Sequence, residues 1–219
     1  MILSLASCGD DDDGYFEGKM SFGLFLMLFE RTNYVLSDNE DGTLTLTVKD
    51  GYGNLKRSYI VKKCLQGQVY RSVENDCQGA GSSVDGWGAL KLQYCNAKDN
   101  TCNPDGQYDP DTNAYVHGVN SEIWVSCDSD ATAGLSWYPL TTMHTEKPSI
   151  DYIGLMEKYD ALNQSLPEDF LATGVWSSET SVVDIVIAKI FRNLGDGWTF
   201  TYVEKILQKY TLCGTYVPN

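Results

Sequence analysis

The clearest regularity in the chain starts at Thr43, where "TLTLTVK" alternates polar and apolar positions with a period of two. A turn rich in Gly and Asn, "DGYGN", and a second β-rich run ending at Cys64 follow, a pattern that predicts a β-hairpin. Upstream, "MSFGLFLMLFE" (Met20 to Glu30) is apolar on both strand faces, with Phe22, Leu24, Leu26 and Leu28 on one and Phe25, Met27 and Phe29 on the other. Such a run predicts a core strand, and it is about half the length a bilayer-crossing helix needs. Beyond Cys64, the polar, glycine-rich stretch through Cys77 to Gly86 predicts an irregular segment that needs a local staple. "WGALKLQYC" sets Trp87, Leu90 and Tyr94 at helical spacing and predicts a short amphipathic helix. From Asn96 to His144 the chain is dense in Asp, Asn, Gly, Ser and Pro, broken by short apolar pieces such as "EIWVSC", and reads as long loops. "PSIDYIGLMEKYDALN" opens on Pro148 and Ser149 and carries Ile150, Ile153 and Met156 at helical spacing, which predicts a second helix. The remainder is strand material with a turn at Gly195, Asp196 and Gly197. Two helices among many strands define an α+β fold with an antiparallel sheet.

Composition sets the scale of this domain. With 219 residues and 42% hydrophobic composition the chain can bury a substantial core, and residues 20–219 are expected to form one domain. The formal net charge is −14, of which Asp10, Asp11, Asp12 and Asp13 supply four, leaving −10 on the rest. An acidic field of this kind repels phosphate backbones and anionic lipid heads, so nucleic acid is excluded as an expected partner.

The cysteines change the picture further. There are seven. Cys8 follows Leu5, Ala6 and Ser7 and precedes an aspartate run that cannot order itself against a core. This order resembles the lipobox of bacterial lipoproteins, in which the chain is cut before the cysteine and the cysteine carries the lipid. Residues 1–8 then read as a remnant signal and lipobox, since they lack a basic region and a full apolar stretch, and residues 9–19 as an acidic tether. Gly9, where an aspartate would favour inner-membrane retention, implies by the same resemblance an outer-membrane lipoprotein on the periplasmic face or the cell surface. Setting Cys8 aside leaves Cys64, Cys77, Cys95, Cys102, Cys127 and Cys213, an even set that reads as a disulfide framework in an exported chain. Cys64 with Cys77 suits the local staple, and Cys102 with Cys127 offers a clamp on the long loop.

Read in order, several pieces resemble the C-terminal domain family of the Legionella collagen-like adhesin. "SDNEDGTLTLT" is similar to that family's opening hairpin, "VKKC" and "NDC" to its paired-cysteine loop, and "WGALKLQYCN" to its Trp-x-x-Ala helix ending in Tyr-Cys. "GVWSSET" resembles its Tyr-Trp-Ser-Ser-Thr strand and "YTLCGTYV" its last strand, whereas "WYPLTT" from Trp137 to Thr142 lacks the family's arginine. The resemblance covers about Asn33 to Val217. It implies a fold distantly related to C-type lectins, a glycan-binding role and a bridge from Cys95 to Cys213, with Cys95 to Cys102 as the rival because a short loop closes at little entropic cost.

Catalytic motifs are missing from the sequence: no nucleophile elbow, P-loop, zinc-protease helix or dinucleotide fingerprint occurs. An envelope hydrolase would need His117 or His144 to converge with a serine and a carboxylate, and both histidines sit in polar, loop-like surroundings. No cofactor is expected, though calcium has one foothold. Asp109, Asp111 and Asn113 have the spacing that opens an EF-hand loop, but Ala114 and Asn120 replace its glycine and glutamate, leaving only an irregular oxygen-rich site with Asp128. Tyr108, Tyr115, Trp124, Trp137 and Tyr138 crowd the same stretch, where two roles are open to them: stacking on neutral sugar rings, as candidate binding residues, or plugging the core. The expected function is therefore a lipid-anchored, non-catalytic binding or adhesion domain for neutral glycans. The alternative is a structural or assembly lipoprotein contacting other envelope proteins.

Overall fold

The computed structural model describes residues 32–98, 102, 107–109, 114–116, 121–140, 148–163, 165–180 and 186–217. Cys8, the tether, the run from Met20 to Glu30, Asp111, His117 and His144 lie outside them. In chain order the elements are β1 (Asn33–Asp38), β2 (Thr43–Lys49), β3 (Leu55–Lys62), β4 (Val69–Arg71), β5 (Asp76–Gln78), β6 (Lys91–Gln93), β7 (Gln107–Asp109), β8 (Ala114–Val116), α1 (Glu122–Asp128), β9 (Tyr138–Pro139), α2 (Pro148–Leu162), α3 (Phe170–Thr173), β10 (Val175–Thr180), β11 (Ile187–Asn193), β12 (Trp198–Glu204), β13 (Gln208–Tyr210) and β14 (Cys213–Val217). The mixture is α+β.

Two five-stranded sheets carry the architecture, ordered β1-β2-β3-β14-β9 and β12-β11-β10-β13-β6, with β4-β5 and β7-β8 as separate hairpins. The alternating run at Thr43 forms β2 and pairs with β3 as expected, with Leu44, Leu46 and Val48 fully buried on one face. The second sheet is mixed, because β10 and β13 run parallel with Val175 opposite Tyr210. The two sheets are stitched where Ser178 donates its N–H to the Leu140 carbonyl at 2.8 Å. Between them lies α2. Its Tyr152 ring sits 5.5 Å from Tyr59 of the first sheet and 5.9 Å from Phe191 of the second, so one side chain bridges the main core. A second core gathers Tyr94, Trp124, Trp176 and Ile190 on the other face of the second sheet.

Three expectations are corrected. Residues 87–95 are not a helix: a 3-10 turn covers Ser83–Gly88, and Lys91–Gln93 is strand. Helical spacing is present, but β6 pairs with β13 and the Leu90 N–H donates to the Gln66 carbonyl at 2.8 Å, so tertiary partners override a weak local pattern. "EIWVSC", expected within a loop, opens helix α1, with Ile123, Trp124 and Cys127 on its buried side. The disulfides are Cys64–Cys77, Cys95–Cys102 and Cys127–Cys213, with Cα–Cα distances of 5.3, 5.8 and 5.7 Å. The local staple is as expected. The pairs Cys95 with Cys213 and Cys102 with Cys127 are not formed, because β9 pairs with the start of β14 and α1 packs on β9, which delivers Cys127 to Cys213.

Candidate functional site

A pocket of about 480 Å³ opens beside the Cys64–Cys77 bridge, within the size range of small-ligand sites. Five separate segments build its wall. Asp38 ends β1, Lys63 follows β3, Glu74, Asn75, Asp76 and Gln78 lie at the tip and return strand of the β4-β5 hairpin, Trp87 sits in the 3-10 turn, and Leu162, Asn163 and Ser165 lie at and just beyond the end of α2. The disulfide holds the hairpin against the end of β3, and the Lys63 N–H donates to the Gly42 carbonyl at 2.9 Å, so the first three segments are tied at their base.

Lys63 organises the floor. Its ammonium donates to Asp38 Oδ2 at 2.5 Å, to the Asn75 carbonyl at 2.6 Å and to Asn75 Oδ1 at 2.8 Å, while Asn75 Nδ2 returns a bond to Asp38 at 3.0 Å. Partial burial acts to raise the Asp38 carboxyl, but the Lys63 ammonium, the Glu40 N–H and Asn75 outweigh it and hold it below the ordinary carboxylate value. The Lys63 carbonyl accepts from the Tyr159 hydroxyl at 2.7 Å and from Asn163 Nδ2 at 2.8 Å, fixing the end of α2 to the same residue. Burial pushes the Tyr159 phenol up, so it stays a neutral donor. On the rim, Arg71 holds Asp76 through two bonds, of 2.7 and 2.6 Å, which keep that carboxyl below its usual value.

Trp87 is the unusual member. Its φ of 58° and ψ of 35° place a bulky residue in the left-handed region, between Gly86 at φ 63° and Gly88 at φ 84°. Surrounding bonds enforce this. The Trp87 N–H donates to the Ser82 carbonyl at 2.9 Å, Asp85 accepts from the Ser82 N–H at 2.7 Å, and Gln68 Nε2 donates to the Gly86 carbonyl at 2.8 Å. Backbone strain of about 1–3 kcal/mol persists only where its surroundings over-determine it.

The expected binding residues lie elsewhere. Trp124 and Trp137 are fully buried; Trp124 packs 6.1 Å from Tyr138, and the Trp137 indole N–H donates to the Thr132 carbonyl at 2.9 Å beside the Cys127–Cys213 bridge. Both plug cores, so their faces are closed to a sugar ring. Tyr108 and Tyr115 stand opposite each other across β7 and β8, with Asp109 at the end of β7. Asp128 is exposed at the last turn of α1. Among the described residues no group of three or more His, Cys, Asp or Glu side chains is placed to hold a metal, and no helix is long and apolar enough to cross a membrane.

Sequence reasoning passed over Lys63, Glu74, Gln78, Trp87 and Ser165. The available signal was the Gly-Trp-Gly triplet, since glycines on both sides of a tryptophan mark a backbone free to turn left-handed. No protein-family model matches the chain, and no curated protein or solved structure matches it either.

Proposed function

We propose that the protein is a lipid-anchored envelope protein, tethered through Cys8 at the outer membrane, whose domain is a non-catalytic binding or adhesion module acting through the Lys63 pocket. The observation that carries this reading is a strained tryptophan on the wall of a polar pocket whose main charges are already paired with one another. The three disulfides support an oxidising, extracytoplasmic compartment. The surplus of acidic residues favours an uncharged ligand over a polyanion.

An array of neutral and sulfated glycans, probed with the folded domain, tests the reading. Binding to neutral members that is lost in Glu74→Gln/Gln78→Ala upholds it. A blank array, with capture of envelope proteins that the pocket substitutions leave untouched, would instead establish the assembly lipoprotein. The anchor has its own test: the mature chain should partition into detergent and stop doing so in Cys8→Ser.

A further inference from the structure

The pocket has a floor and a mouth. Lys63, Asn163 and Ser165 are each 5% exposed, whereas Glu74 and Leu162 stand open to solvent. A ligand therefore reaches the floor by one end. The groups that can meet it are those the fold has not consumed. Asp38 is engaged by Lys63 and Asn75, Asp76 by Arg71, and Asn163 by Lys63, Tyr159 and Ser165. Among the described residues the Gln78 carboxamide, the Ser165 hydroxyl and the Trp87 indole N–H take part in no hydrogen bond, and Glu74 has only a 3.9 Å approach from Arg71.

What remains is a carboxylate acceptor, an amide that both donates and accepts, a hydroxyl, and an indole with an apolar body and a polar tip. Among the described residues no unpaired cation stands in the wall to hold an anion, since the Lys63 ammonium has three acceptors. Neighbouring hydroxyl groups that give one bond and take another suit the Glu74 and Gln78 pair, and the C–H face of a sugar ring suits the tryptophan. We infer that the pocket takes a single uncharged sugar ring, the terminal unit of a neutral glycan, which enters end-on to lie against Trp87, with its hydroxyls shared by Glu74, Gln78 and Ser165. This rests on the pocket being the binding site.

Titration calorimetry with neutral monosaccharides, their disaccharides, glucosamine and a heparin disaccharide tests it. The expected result is binding of a neutral monosaccharide, with its disaccharide within about tenfold, and a loss of about tenfold or more in Trp87→Gly and in Glu74→Gln/Gln78→Ala. Trp87→Gly removes the ring while placing at φ 58° the residue best suited to it, so its melting curve should stay near the parent's. Binding of long neutral glycans that depends on the pocket but that no monosaccharide competes away would overturn end-on capture and leave the binding role intact. Preference for glucosamine or the heparin disaccharide would overturn the uncharged ligand. Neutral-sugar binding lost in Tyr108→Ala or Tyr115→Ala and kept in Trp87→Gly would overturn the pocket itself.

Discussion

At the scale of single residues, the strongest constraints sit where a side chain has one allowed place. Gly86 is one: a Cβ there would meet the Pro167 ring at 2.3 Å, on a backbone at φ 63°. Gly86→Ala should cost about 1–3 kcal/mol by urea unfolding, since the clash and the left-handed strain act together. Asp169 is another, holding α3 to the second sheet. It accepts from Lys91 Nζ and the Thr173 hydroxyl, each at 2.6 Å, and from the Tyr210 hydroxyl at 2.5 Å. Partial burial opposes ionisation, but these three donors bring its carboxyl down to about 2. Its contribution is therefore present above the unfolded value of 3.8 and lost as pH falls through about 2. Tyr210 is raised, first by burial and then by Asp169, so its share is present below 10 and lost as pH climbs past that value. Because the Asp169 side chain is 49% exposed, screening limits the effect to about 1 kcal/mol or less. Denaturant titrations should show stability falling between pH 4 and pH 2, with a shallower fall in Asp169→Asn.

At the scale of elements, covalent ties and close approaches decide what packs on what. Helix α2 meets β1 where Gly154 leaves room for Tyr34, whose ring would lie 2.5 Å from an added Cβ. Cys127–Cys213 joins α1 to β14 across 86 residues, while Cys95–Cys102 spans only 7. A cross-link that closes a longer loop restricts the unfolded chain more. Replacing Cys127 and Cys213 together by serine should lower stability by about 2–5 kcal/mol, and the same change at Cys95 and Cys102 by less. Equal losses in calorimetric melting would show that local packing of the bridges, rather than loop length, sets their weight.

For the whole molecule, charge is the property that reaches a partner first. The folded part carries a formal −10 once the four tether aspartates are set aside. Two of its buried cations are occupied by carboxylates, Lys62 by Asp130 and Lys63 by Asp38, and the fully buried Lys205 lies over the Tyr94 ring at 5.7 Å. A polyanionic glycan therefore meets repulsion at long range with little local compensation. The domain is expected to leave a heparin column below about 0.3 M salt, where weak surface contacts are already screened. Retention beyond that point would mean that a local basic surface outweighs the net charge.

The sequence by itself determined the elements whose signal is local. Period-two alternation at Thr43 to Lys49, the proline start of α2 and the glycines between β11 and β12 depend only on neighbours in the chain, and each appears where the pattern put it. The staple from Cys64 to Cys77 was legible for the same reason, since its two ends are 13 residues apart. The tertiary structure decided the rest. Lys91 to Gln93 became strand because β13 lay ready to pair with it, and Cys127 found Cys213 because β9 brought α1 to β14. Trp124 and Trp137 read either as binding aromatics or as core plugs in a polar stretch, and long-range packing decided for the core by burying both. The pocket was the least legible feature. Its wall draws on residues from Asp38 to Ser165, and no local pattern encodes which of five distant segments will converge, since their meeting follows from how the first sheet, the β4-β5 hairpin, the 3-10 turn and the end of α2 come together.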